Sequence, residues 1–297
     1  MRLQTLAFVL LAATACSSDP AAPAPAGTGG GPATKPPGST GADASVGGGV
    51  DASTPPPPLD TDSGVSVDDA LATRAVGFYA VKSVVASIQD IAVLGKQPSV
   101  ATSLGVGEVK RKGAALVLVE RGCHVELSAT SIVIPSVPDA LPNSVPPVEY
   151  PFRVWQEGAV VKFVRDAVAT PIGVKLTAPE TDALPTVATD PRVWDQDGDG
   201  KPGVTVKMGG SLITGDIFVI QKQRAVYSGE LSAAGAFVGL VRDSSQQATI
   251  GATNDALKQN VPTTPDPDAS KSNVRFAKLS ASYDCARLLA EAKALFP

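Results

Sequence analysis

The chain has a single histidine, His124, only three cysteines, Cys16, Cys123 and Cys285, and no basic run longer than Lys110-Arg111-Lys112. Each shortage removes a class of function. Any histidine-dependent mechanism must use His124, which directly follows Cys123. On a strand, neighbouring side chains point to opposite faces, so these two make a poor catalytic dyad. One histidine and two distant cysteines have no zinc-ligand spacing. Three adjacent basic residues on a strand are also split between faces. With a net charge of −4 and a calculated pI of about 5.1, the chain lacks the footprint of a nucleic-acid binder. No G-x-S-x-G is present, and "GGSLITG" at 209–215 fails the pattern. No glycine-rich phosphate loop follows a strand and opens a helix, since the glycines at 29–31 and 47–49 lie in a proline-rich stretch. The apolar run at 6–13 is too short to cross a bilayer, which takes about 20 residues.

What is present begins with "MRLQTLAFVLLAATAC", a short basic start, an apolar run and small residues, which together read as a secretory signal over 1–15. "ATAC" at 13–16 resembles a bacterial lipobox, with Ala13 where leucine is commonest. The resemblance implies that Cys16 is acylated and becomes the mature N-terminus, anchoring the chain to a membrane. Ser17 in place of aspartate implies the outer membrane of the cell envelope. Ordinary cleavage after Ala15 is the alternative. If Cys16 carries lipid, Cys123 and Cys285 remain in an oxidising compartment, and a disulfide is their natural outcome, with two buried free thiols as the alternative.

Residues 16–67 form a linker. Between 17 and 66 there are ten prolines and ten glycines, no aromatic residue and one basic residue, Lys35. Such a segment buries too little apolar surface to offset its ordering entropy. It reads as a disordered tether with an end-to-end distance of ~40 Å.

From 68 to 297 the composition is that of one β domain. Apolar and polar residues alternate at 75–93, 100–111, 114–128, 152–165, 172–177, 204–208, 212–227, 230–242, 246–251 and 272–283. Without helical runs between them, these strands predict an antiparallel β-barrel of lipocalin-like kind or a β-sandwich. One helix is expected over 284–296, where Leu288, Leu289, Ala292, Leu295 and Phe296 recur at helical spacing behind the capping residue Asp284. The expected bridge would then staple this helix to the strand carrying Cys123. "PSVPDALPNSVPPVEYP" at 135–151, with six prolines, predicts a long extended loop framing a barrel mouth. Trp155 is expected in the core, and Trp194 either in the core or at the surface.

The most conspicuous stretch is "WDQDGDGKPGVTV" at 194–206. Counted as a calcium loop, it supplies carboxylates at positions 1, 3 and 5 from Asp195, Asp197 and Asp199. Gly200 permits the sharp turn, and Lys201 could offer its backbone carbonyl. The closing acidic ligand is missing, because Val206 stands at position 12. Further ligands would come from Asp190 or a neighbouring loop. The stretch resembles the short DxDxDG calcium loops of thrombospondin type 3 and integrin-like repeats, which implies a weak structural calcium site. A bare Asp-Gly turn entering a strand is the alternative. Together with "GSLITGDIFVIQKQR", the phrase also resembles secreted lipoproteins of Myxococcus-like bacteria, a group of unknown activity. That resemblance covers about 190–285.

No catalytic constellation stands out. The function expected is binding by a lipid-anchored domain, with a small apolar ligand in a barrel. The competing readings are a structural or adhesive module without a cavity, and a hydrolase using scattered carboxylates among Glu120, Glu126, Glu149, Glu157 and Glu230.

Overall fold

The computed structural model describes residues 69–91, 95–128, 134–210, 214–258 and 261–297. The signal segment, Cys16 and the 16–67 linker lie outside the described residues. The domain is mainly β. Eight antiparallel strands close into a barrel in the order β1 (Gly77–Ile91), β14 (Asn273–Leu279), β11 (Phe237–Asp243), β10 (Ala225–Leu231), β6 (Val160–Arg165), β5 (Val148–Glu157), β3 (Ala115–Leu127) and β2 (Gly95–Lys112), which pairs back to β1. The closure decides barrel over sandwich. Three expected strands are in fact five. The 152–165 run breaks at Gly158, whose φ of 58° makes the β5–β6 turn. Residues 212–242 hold β9 (Gly215–Gln223), β10 and β11 with turns between them.

A second sheet, not foreseen, runs β12 (Gln246–Ala252), β9, β8 (Val204–Gly209) and β4 (Ile134–Ser136), with β7 (Thr170–Ile172) also on β9. One face of it, carrying Val204, Val206, Ile217 and Val219, packs with Leu127 of the barrel and Leu141 of α2 (Ala140–Ser144). The other face, carrying Phe218 and Ile220, is covered by Val174, Leu176 and Val193. The alternation expected at 172–177 ends at Ile172, leaving only a Val174–Val193 bridge. The 135–151 segment is a correction as well. It is not one extended loop but β4, α2 and the start of β5.

The inward residues divide the barrel into two halves. One half is solid: Tyr79, Phe152, Phe163, Phe237 and Phe276 are each at most 1% exposed and meet at ring-centre distances from 4.9 to 6.5 Å. The helix α1 (Asp69–Ala75) packs Leu71, Ala72 and Ala75 against this cluster. Facing outward, one cross-strand row reads Trp155, Lys162, Glu230, Val238, Arg275. A row with this much charge suits water rather than lipid. Trp155 is 42% exposed, so its expected core position is corrected: it sits on the outward face of the alternation, opposite Val154. The helix α3 (Cys285–Leu295) forms as expected, and Asp284 caps it by accepting from the Arg287 N–H at 2.8 Å. Cys123 and Cys285 are disulfide-bonded across 162 residues of sequence, which pins α3 to the outside of β3.

Candidate binding site

Four strands bring the charged and aromatic groups of the site together in the other half of the barrel. On β6 the buried series is Val161, Phe163, Arg165, so a guanidinium follows a phenylalanine on the interior face. On β3, Leu116 and Leu118 are core residues, and two-residue steps onward bring Glu120 and Gly122 to a cavity wall, before a β-bulge at Cys123 shifts the alternation so that Val125 continues it. Tyr150 comes from β5, and Tyr227 from β10 is the cross-strand partner of Arg165.

Arg165 is 3% exposed. Its guanidinium carbon lies 3.5 Å from the ring centre of Tyr227 and 4.0 Å from that of Tyr150. Two aromatic contacts hold the planar group in place and help to stabilise its charge. Nη2 donates to the Ala225 carbonyl at 2.7 Å. Nη1 lies 3.5 Å from Glu120 Oε2, within ion-pair range but too far and too poorly aligned for a hydrogen bond. Glu120 Oε2 and Arg165 Nε are buried and make no hydrogen bond to any described group.

Burial pushes the Glu120 carboxyl up, and Arg165 only partly offsets it. Burial also opposes the charge on Arg165, but Tyr227, Glu120 and Tyr150 outweigh it and hold the guanidinium above its usual range. The Tyr227 hydroxyl is pushed up to about 12 by burial, against the pull of Arg165.

These groups line one side of a cavity of about 170 Å³. Much of the remaining wall is apolar, with Val81 and Val85 from β1, Val125 from β3, and Leu141, Val145 and Val148 from the 135–151 segment. That segment therefore lines the cavity itself, where a loop framing the barrel mouth was expected. A buried ion pair, Arg165 with Glu120, also stands in this wall. His124 reaches outward from the same wall, with Nδ1 3.2 Å from Asp139 Oδ1 at the start of α2.

Of the five candidate carboxylates, only Glu120 joins this wall. Glu149 pairs with Lys112 and Glu230 with Lys162, while Glu126 and Glu157 are exposed. The second carboxylate on the wall is Asp243 of β11, which sequence reasoning passed over. Its Oδ1 accepts from the Ser245 hydroxyl at 2.5 Å. The signal for Arg165 was available in the two-residue period it shares with Val161 and Phe163.

The acidic loop is a separate structure, outside the cavity wall. Asp195, Asp197 and Asp199 place carboxylate oxygens within 4.8 Å of one another. In the loop, Asp195 Oδ1 accepts from the N–H groups of Gly198 and Asp199, and Oδ2 from that of Gly200. Gly198 and Gly200 have φ of 76° and 82°, which lets their N–H groups turn inward onto the carboxylate. Asp199 accepts from the Lys201 N–H and the Thr205 hydroxyl. Asp197 Oδ2 accepts from the Thr205 N–H, while Oδ1 is buried without a partner. Burial works to raise the Asp195 carboxyl, but the N–H groups of Gly200, Gly198 and Asp199 hold it below its usual range. Asp197 is raised, first by burial and then by Asp199, against the Thr205 N–H. Lys201 thus enters through its N–H. Asp190 does not join the group, because both its oxygens are taken by Arg192. Trp194, 38% exposed, lies beside the loop with Lys175 Nζ 5.0 Å from its ring centre.

No protein-family model matches the chain, and no curated protein or solved structure matches it significantly.

Proposed function

We propose that this chain is a cell-envelope binding protein whose barrel takes a small amphipathic ligand. The observation that carries this reading is the half-filled barrel. One half is packed solid with aromatic side chains, while the other keeps a cavity of about 170 Å³ with apolar walls and one buried charged pair. A purely structural module has no use for such a space. An apolar cavity of about 150 Å³ takes benzene in another protein, so the ligand should have roughly six to ten non-hydrogen atoms. The test is ligand-observed NMR of a fragment set in that size range on the full chain and on Ser103→Leu, which fills the cavity from β2. Fragments should bind the native chain and lose binding to the variant. Equal binding to both, or none to either, overturns the reading.

Two further features belong to this proposal. Cys16 acylation would hold the domain at the membrane, and Cys16→Ser should move the protein into the soluble fraction. The acidic loop would take calcium weakly, with Asp197 Oδ1 as the ligand atom that lacks any other partner. Millimolar calcium should then raise the melting temperature above that in chelator by about 2 °C or more. An unchanged melting temperature leaves a self-capped turn.

A further inference from the structure

We propose that the polar end of the barrel ligand is an uncharged group carrying a hydrogen-bond acceptor beside a donor, of which a carboxamide is the simplest, held between Arg165 Nε and Glu120 Oε2. This rests on the barrel being a binding site and names what the site recognises. Three observations lead to it.

First, the two orphaned atoms are complementary. Arg165 Nε is a donor and Glu120 Oε2 an acceptor, both are buried, and neither makes a hydrogen bond to any described group. Leaving both unsatisfied is costly, and a ligand group that reached both would relieve that cost. A carboxamide does so with its carbonyl on Arg165 and its N–H on Glu120.

Second, the two charges nearest the proposed contact pair with each other, while the other carboxylate on the wall, Asp243, accepts from the Ser245 hydroxyl. Glu120 faces Arg165 at 3.5 Å. A carboxylate ligand would bring a second anion against Glu120, and an ammonium a second cation against Arg165. Both are disfavoured where few water molecules screen them.

Third, the donor is preorganised. The guanidinium is clamped by Tyr150 and Tyr227 and tied to the Ala225 carbonyl. Little side-chain freedom is lost when it donates. The apolar remainder of the ligand would lie against Val81, Val85 and Val145.

The experiment uses the full chain with its disulfide intact and four probes of one shape: benzamide, benzoate, benzylamine and toluene, each titrated at neutral pH and followed by NMR. Benzamide should bind at least about ten-fold more tightly than the other three. If toluene matches it, the cavity still binds ligands but the donor–acceptor assignment falls. If benzoate is tightest, the assignment also falls, in favour of an anion site. If none of the four binds, both this inference and the binding reading fall for ligands of this size. Glu120→Gln leaves an unbalanced guanidinium, so it should reverse the preference to benzoate. Because that variant removes one partner of a buried pair and can unfold, Glu120→Leu with Arg165→Met serves beside it. Replacing both partners by apolar side chains is usually tolerated. The double variant should keep toluene and lose the preference for benzamide, and a retained preference overturns the assignment.

Discussion

Glu120 shows how a single buried group sets a measurable property. Its folded-state carboxyl is raised by burial, so the folded chain holds that proton to higher pH than the unfolded chain. Below the ordinary glutamate range the group costs nothing. As pH rises from there through the folded value, the folded state loses stability relative to the unfolded one. Glu120→Gln removes this slope, so the stability gap between native chain and variant should narrow as pH rises. Denaturant titrations over that window check it, and a gap that is constant or widens contradicts it. Phe237 is the complementary case. It is 0% exposed and touches the rings of Tyr79, Phe152, Phe163 and Phe276. Phe237→Ala should cost about 3–5 kcal/mol, because the closed barrel cannot collapse around the void. At this scale much of the site was hidden from sequence reading. A charged residue at a strand end, such as Arg165, reads as surface, and only its step of two from Phe163 says otherwise. Trp155 misleads in the other direction, since a large aromatic side chain suggests burial while its place in the alternation points outward.

At the scale of elements, the β10–β11 hairpin contains a cross-strand glycine pair, Gly229 and Gly239. A Cβ on Gly239 would lie 2.2 Å from the Ser228 carbonyl oxygen, and one on Gly229 would lie 2.1 Å from that of Val238. The two backbones approach there as only glycine allows. Gly239→Ala should destabilise by about 1–3 kcal/mol, measured by chemical denaturation. In the acidic loop, Asp195→Ala removes the acceptor of three backbone N–H groups. It should cost about 1–2 kcal/mol whether or not calcium is added. Legibility varied by element for a physical reason. The α3 helix was readable from its cap and its period, because eleven residues give a pattern room to repeat. Long strands were readable by alternation. The three-residue strands β4 and β7 are too short to show a period, and the pairing of β12, β9 and β8 into a sheet of their own leaves no local pattern.

For the whole molecule, the decisive features are closure and the Cys123–Cys285 tie. An eight-stranded barrel has room for its own side chains or one small ligand, and this one divides its length between the two. The cysteine pairing was legible from counting alone, whereas the barrel's closure was not, because no local pattern reports that β1 pairs with both β2 and β14. Replacing both Cys123 and Cys285 by serine should lower stability by about 2–5 kcal/mol. Hydrogen exchange should show α3 loosening before the barrel does.

The same disulfide also determines what happens after a cut. The stretch 268–271 is exposed and lies just before β14, the strand that completes the barrel. A protease nick there severs the main chain between the closing strand and everything before it. Yet Cys285, downstream of the nick, is bonded to Cys123, upstream of it. The severed piece stays on a covalent leash, at the high effective concentration that a tether provides. The nicked protein should run as one band on a non-reducing gel and keep its cavity. Adding reductant should release the piece and open the barrel along the freed edge of β1.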